Sequence, residues 1–91
     1  MADVEPRVVD NPEEHRYELW LDHRLAGEIR HAARDDGAIV LIHTEIDREL
    51  EGQGLGNLLV QGALDDLRAR GIDYVPLCPF VRAYLRRHPQ D

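Results

Sequence analysis

Apolar and polar residues alternate through the first half of the chain, which is the pattern of half-buried β-strands. Turn-forming sequences at 22–24 and 35–37 interrupt this alternation, and the second of them ends in Gly37. The predicted strands cover 17–21, 25–32 and 38–46. The third begins with an unbroken apolar run, so we expect it to be a central strand of the sheet.

The spacing of apolar residues changes from two to about 3.6 in the second half, which predicts a helix over 54–70. This spacing is followed by Leu55, Leu58, Leu59, Ala63 and Leu67. Gly71 is its expected C-terminal stop, a short strand follows at 72–77, and Pro79 opens a last helix over 79–88. A strand, a helix and a strand in this order predict a parallel pair joined by a right-handed crossover.

These elements together predict an α/β fold. Its parts are a twisted, mostly antiparallel sheet, a right-handed β-α-β crossover and a C-terminal helix. Residues 1–14 contain two prolines and five acids and are predicted to be a flexible N-terminal tail, with a short edge pairing at 7–9 as the alternative. Residues 15–91 are predicted to be one domain.

Composition narrows the functional classes. The 91 residues carry a net charge of -7, which argues against a nucleic-acid partner. The single cysteine, Cys78, excludes an internal disulfide and is typical of the reducing cytoplasm. No apolar run is long enough for a membrane helix, so we expect a cytoplasmic protein. The core of so small a chain is thin, and we expect a monomer or a weak homodimer. His15, His23 and His31 lack ligand spacing, so we predict surface positions for them and no metal site.

The glycine-rich sequence at 51–57 is the strongest functional signal. It has glycines at alternate positions and leads into the predicted helix, where free backbone N–H groups and the helix dipole favour a phosphate. A nucleotide P-loop would need Lys-Ser or Lys-Thr after the last glycine, but Asn57 and Leu58 stand there. The dinucleotide fingerprint Gly-x-Gly-x-x-Gly is also absent.

The loop instead resembles that of the GNAT acetyltransferase superfamily, which has Arg/Gln-x-x-Gly-x-Gly/Ala at this place. Gly54 and Gly56 occupy the two small positions, and Glu51 replaces the usual Arg or Gln. Together with the sequences at 43–46, 75–81 and 84–89, the chain resembles a very small GNAT-like N-acetyltransferase family.

The resemblance implies acetyl-CoA as the acyl donor and one domain that binds it over 15–91. The backbone of the loop and the first helical turn would hold the pyrophosphate, at Gly52, Gln53, Gly54, Leu55, Gly56 and Asn57. Thr44 and Ile46 would lie beside the pantetheine arm, and the strand after the crossover would splay away to leave a slot for it. Arg82 and Arg86, ahead of Arg87, are candidates for phosphate contacts.

Three residues are candidates for catalysis. Cys78 precedes the helix that begins at Pro79, where the dipole favours a thiolate that could accept the acetyl group. His43 or Glu45 could act as the general base for direct transfer to an amine.

The function that follows is transfer of an acetyl group to an unidentified amine acceptor, either a small molecule or a protein. The alternative is a non-catalytic module that binds acetyl-CoA or CoA and acts with a partner protein. A structural domain without a ligand would require the glycine loop to be incidental.

Overall fold

A computed structural model describes residues 5–90 and shows one five-stranded sheet with two α-helices. The strands are β1 (Pro6–Asn11), β2 (Arg16–Leu21), β3 (Arg24–Ala33), β4 (Ile39–Ile46) and β5 (Tyr74–Pro76), and the helices are α1 (Leu55–Ala69) and α2 (Pro79–Arg87). The strands lie side by side in chain order. The first three pairings are antiparallel and the β4–β5 pairing is parallel. The predicted α/β fold is confirmed, and α1 is the crossover between the parallel strands.

The prediction of a flexible tail is wrong for residues 6–14, because 6–11 form β1 and 12–14 form a single 3₁₀ turn. The alternative of an edge pairing holds, since β1 pairs with β2 along its whole length. Val8 fits against the helix at Gly62, where an added Cβ would lie 2.6 Å from the Val8 Cγ2 atom. Residues 1–4 lie outside the described residues. The domain therefore begins before residue 15.

One hydrophobic core lies between the sheet and the two helices. From α1 it takes the apolar stripe Leu55, Leu59, Val60, Ala63, Leu64 and Leu67. From the sheet it takes Tyr17, Leu19, Ala26, Ile29 and Leu41. Each fully buried aliphatic side chain stabilises the fold by about 1.5–3 kcal/mol. In α2, Val81 and Tyr84 join the same core, so both helices cover the same face of the sheet.

His31 is buried, so the prediction of a surface position is wrong for this histidine, whereas His15 and His23 are exposed. Side chains two residues apart on a strand share a face. Because Ile29 faces the core, His31 faces it as well. The His31 Nε2 atom lies 2.8 Å from a carboxylate oxygen of Asp10 on β1. This polar contact helps to hold the first strand in place.

The face of the sheet opposite the helices carries a network of charged side chains around Glu18. Burial alone would raise the pKa of Glu18, but hydrogen bonds from Asn11, Arg16 and Trp20 outweigh it and lower the pKa below the ordinary 4.5. The Arg16 Nε atom donates to Glu18 at 2.7 Å, and Arg16 also pairs with Glu28 at 3.1 Å. These contacts stabilise a sheet face that no helix in 5–90 covers.

The Glu18→Gln variant is expected to unfold more easily than the wild type at pH 7, by on the order of 1–3 kcal/mol. A carboxyl group whose pKa is lower in the folded state stabilises the fold at every pH above its unfolded-state pKa. This stabilisation is lost as the pH falls through the folded-state pKa. The difference between the two proteins should therefore shrink when the pH is lowered from 7 to a value well below 4.5. Urea unfolding at both pH values measures it, with the exposed Glu13→Gln as control. A difference independent of pH would contradict the role assigned to the ionised carboxylate.

Candidate functional site

The two parallel strands separate soon after they meet. Their pairing covers only three residues of β4, up to Leu41 opposite Pro76. The Leu41 carbonyl accepts hydrogen bonds from the N–H groups of Leu77 at 3.0 Å and Cys78 at 2.9 Å, and the chain then turns into α2. Along residues 42–46, the only strand beside β4 within 5–90 is β3. The splayed strands expected from the resemblance are therefore present, and they leave the outer backbone of 42–46 without a strand partner in 5–90.

A β-bulge in β4 directs the side chains near this opening. Arg30 of β3 pairs with His43, but the next residue of β3 pairs with Leu41, so Ile42 is the extra residue. Beyond the bulge, Thr44 pairs with the buried Ile29 and faces the helices. His43 and Glu45 point to the opposite face, since successive side chains of a strand alternate. Bulges are frequent beside active sites because they redirect side chains in this way.

A cleft of about 430 Å³ lies between the open part of β4, the glycine loop and α2. It is lined by Thr44, Ile46, Leu50, Glu51, Gly52, Gly54, Leu55, Gly56, Asn57, Phe80 and Arg87. Most of the residues predicted to bind the donor therefore share one cavity. Gln53, Arg82 and Arg86 were predicted with them but do not line it.

Leu50 and Phe80 line the cleft but are not among the predicted residues, and Arg87 lines it in place of the favoured Arg82 and Arg86. Phe80 and Arg87 are seven residues apart, which places them on the same face of a helix. This spacing was the available signal for α2, because the face that carries Phe80 also carries Arg87 and not Arg86. Leu50 was an apolar residue in an otherwise polar connection.

The glycine loop presents unsatisfied backbone donors to the cleft. Gly52 and Gly54 have φ angles of 84° and 76°, in the left-handed region that favours glycine. An added Cβ at either position meets no atom within 4 Å, so the requirement is conformational. Gly54 caps α1 without a side-chain hydrogen bond. The N–H groups of 55–57 have no partner within the helix, and together with the helix dipole they favour a negative charge at this position.

Gly56 has a steric role in addition. A Cβ on this residue would lie 2.6 Å from the Cζ atom of Phe80, so the phenyl ring packs directly on the first turn of α1. Phe80 remains 40% exposed and forms an apolar wall of the cleft. The third glycine of the loop thus allows the two helices to approach closely.

The polar connection before the loop is fixed by Arg24 at the start of β3. Its guanidinium donates to Asp47 and to Glu49, each at 2.8 Å. The hydrogen bond from Arg24 holds the pKa of Asp47 below its ordinary value. The connection is therefore anchored to the sheet at the point where it leaves β4.

Cys78 lies next to the cleft but is almost completely buried, with 2% of its surface exposed. It is the N-cap residue of α2, as predicted. Its Sγ atom is 3.3 Å from the Oγ1 atom of Thr44, a residue that does line the cleft. The sulfur therefore contacts a residue that lines the cleft, although Cys78 itself does not line it.

The two candidate bases lie away from the cysteine. The side chains of His43 and Glu45 are 56% and 69% exposed, and they form an ion pair of 3.3 Å when the imidazole is protonated. Neither residue lines the cleft. The catalytic candidates thus divide between the two faces of β4, with Cys78 on the helix side.

Residues 16–91 match the family model described as GCN5-related N-acetyl-transferase. No curated protein sequence matches the chain. Within 5–90, no helix is long and apolar enough to cross a membrane, and no three His, Cys, Asp or Glu side chains are grouped as metal ligands would be.

Proposed function

Because the chain belongs to the GCN5-related N-acetyltransferase family, we propose that it transfers the acetyl group of acetyl-CoA to an amine. The observation that carries this proposal is that one cleft joins the open edge of β4 to the N-terminus of α1, which has no side-chain cap. One end offers backbone groups for an extended amide-containing chain, and the other offers N–H donors for phosphate. Acetyl-CoA contains both of these chemical features.

The two ends of the cleft suit different parts of the donor. The N–H groups of 55–57 and the left-handed turns at Gly52 and Gly54 would bind the pyrophosphate. The unpaired backbone of 42–46 would pair with the pantetheine amides, as an additional strand would. Phe80 and Ile46 supply apolar surface between these regions.

We propose that the acetyl group passes through Cys78. The Sγ atom would attack the thioester carbonyl, the bond from this carbonyl to the CoA sulfur would break, and the CoA thiolate would leave and take up a proton. The acceptor amine would then attack the Cys78 thioester and release the thiol. Cys78 lies on the cleft side of β4 beside Thr44, which supports this route.

Direct transfer is the competing route, with His43 or Glu45 taking the proton from the amine. These side chains are exposed on the far face of β4, so the acceptor would have to approach from that face. No helix in 5–90 covers it. An uncovered face also fits the alternative of a CoA-binding module that a partner protein completes.

Turnover separates enzyme from binding module. The wild type is expected to release CoA thiol from acetyl-CoA faster when primary amines or basic peptides are added, and the acetylated amine should accumulate at the same rate. The Glu45→Gln and His43→Ala variants should lose about 10²–10⁴-fold of this rate if the residue is the base, and little if Cys78 carries the acetyl group. Binding of acetyl-CoA without any amine-dependent release would contradict catalysis and support the module.

A further inference from the structure

The charged lining of the cleft consists of one carboxylate and one guanidinium, from different walls. Glu51 stands in the loop before α1, and Arg87 stands in the last turn of α2. The loop therefore places a negative charge beside the N–H groups that suit a phosphate. A phosphorylated ligand would be repelled there unless another group supplied positive charge.

Arg87 differs from most arginines of the chain because it lines the cleft and belongs to no ion pair within 5–90. The chain has eleven cationic residues, all of them arginine. The ion pairs within 5–90 engage Arg16, Arg24, Arg30, Arg34 and Arg70, and Arg68 donates to Gln90. Arg7, Arg48, Arg82, Arg86 and Arg87 belong to none of these pairs. Of these five, Arg87 alone lines the cleft.

A guanidinium is well suited to this position because its planar donors match phosphate oxygens in pairs. Arg87 shares the cleft wall with Phe80 and faces the same space as Asn57 in the first turn of α1. A phosphate at the α1 N-terminus would thus have backbone N–H groups on one side and the Arg87 side chain on another.

We infer that Arg87 is a specificity-determining residue that binds a phosphate group of CoA and offsets the charge of Glu51. The inference rests on the proposed function, since it requires that the cleft binds CoA. The positive charge that meets the phosphate then lies on α2 and not in the glycine loop. Removing the charge of Glu51 should strengthen CoA binding, and removing Arg87 should weaken it.

Calorimetric titration of five proteins with CoA tests this inference. The Arg87→Ala variant should bind at least about tenfold more weakly than the wild type, and Glu51→Gln should bind more tightly. Arg7→Ala removes the same charge at the far edge of the sheet and should leave the affinity unchanged. Arg86→Ala removes it from the same turn of α2 and should cost much less than Arg87→Ala. High salt should reduce all these differences.

Titration with CoA lacking its 3′-phosphate identifies the group that is bound. If the Arg87→Ala loss persists with this ligand, Arg87 binds the pyrophosphate, and if it disappears, Arg87 binds the 3′-phosphate. Equal losses in Arg87→Ala and Arg86→Ala, or no greater loss than in Arg7→Ala, would overturn the inference while the proposed function stands. A folded wild type that does not bind CoA would instead overturn the proposed function.

Discussion

The Cys78→Ala variant is expected to take up no acetyl group from acetyl-CoA, whereas the wild type gains the mass of one. Its rate of transfer to an amine should fall by about two orders of magnitude or more, because the proposed nucleophile is lost. The readout is clear because the chain contains no lysine and no serine. Peptide mapping therefore only has to separate Cys78 from the α-amino group and the few hydroxyl groups.

Two controls keep this result interpretable. CoA affinity and the melting temperature of Cys78→Ala should stay close to those of the wild type, since the change removes one small buried atom. The Thr44→Ser variant keeps the hydroxyl beside the sulfur and should still be acetylated, whereas Thr44→Val removes it. Unchanged turnover in Cys78→Ala would reject the thioester route in favour of direct transfer.

The Gly56→Ala variant is expected to lose both stability and CoA affinity. Its new Cβ would lie 2.6 Å from Phe80, so the ring must move, and the wall of the cleft must move with it. Because the clash is with the outer end of a ring that is 40% exposed, the loss of unfolding free energy should lie near the lower end of the about 1–3 kcal/mol that overpacking costs. We expect CoA to bind about tenfold more weakly, which corresponds to roughly 1.4 kcal/mol. Urea unfolding and calorimetric titration measure the two losses.

Gly62→Ala is the matched control for this variant. It places a methyl group on the same helix, 2.6 Å from Val8 of the first strand and away from the cleft. It should lower stability at least as much, because its Cβ would also lie 2.7 Å from the Val8 Cβ atom, and it should leave CoA affinity unchanged. In a Phe80→Ala background the ring is absent, so Gly56→Ala should cost much less stability there than in the wild type. Equal losses of affinity in both glycine variants would show that general destabilisation, and not the position of Phe80, weakens binding.

The features that the sequence predicted correctly depend on local patterns. Strand alternation at 17–21, the helical stripe from Leu55 to Leu67 apart from the exposed Leu58, and the glycines of the loop each act within a few residues. The glycines before α1 predict free backbone N–H groups at its start, and Gly54 indeed caps α1 without a side-chain hydrogen bond. These patterns were enough to predict the α/β fold. Together with the family resemblance, they predicted seven of the eleven residues that line the cleft.

The features that sequence reasoning missed depend on contacts between distant residues. The first strand is held by Val8 against Gly62 and by Asp10 against His31, and neither partner is identified by the composition of a proline-containing acidic segment. The choice of Arg87 over Arg86 depends on the direction in which α2 faces α1. Cys78 and His43 lie on opposite faces of β4 because of the bulge at Ile42. The position of this bulge is fixed by the pairing of β4 with β3.

The central claim is that the cleft between β4, the glycine loop and α2 binds acetyl-CoA, and titration of the folded wild type tests it most directly. Calorimetry with acetyl-CoA, repeated with CoA as competitor, is predicted to show one site per chain that both ligands occupy. The site should weaken in Gly56→Ala and persist in Gly62→Ala. Absence of binding to a protein that unfolds cooperatively would contradict the claim and leave the family resemblance as evidence of fold alone.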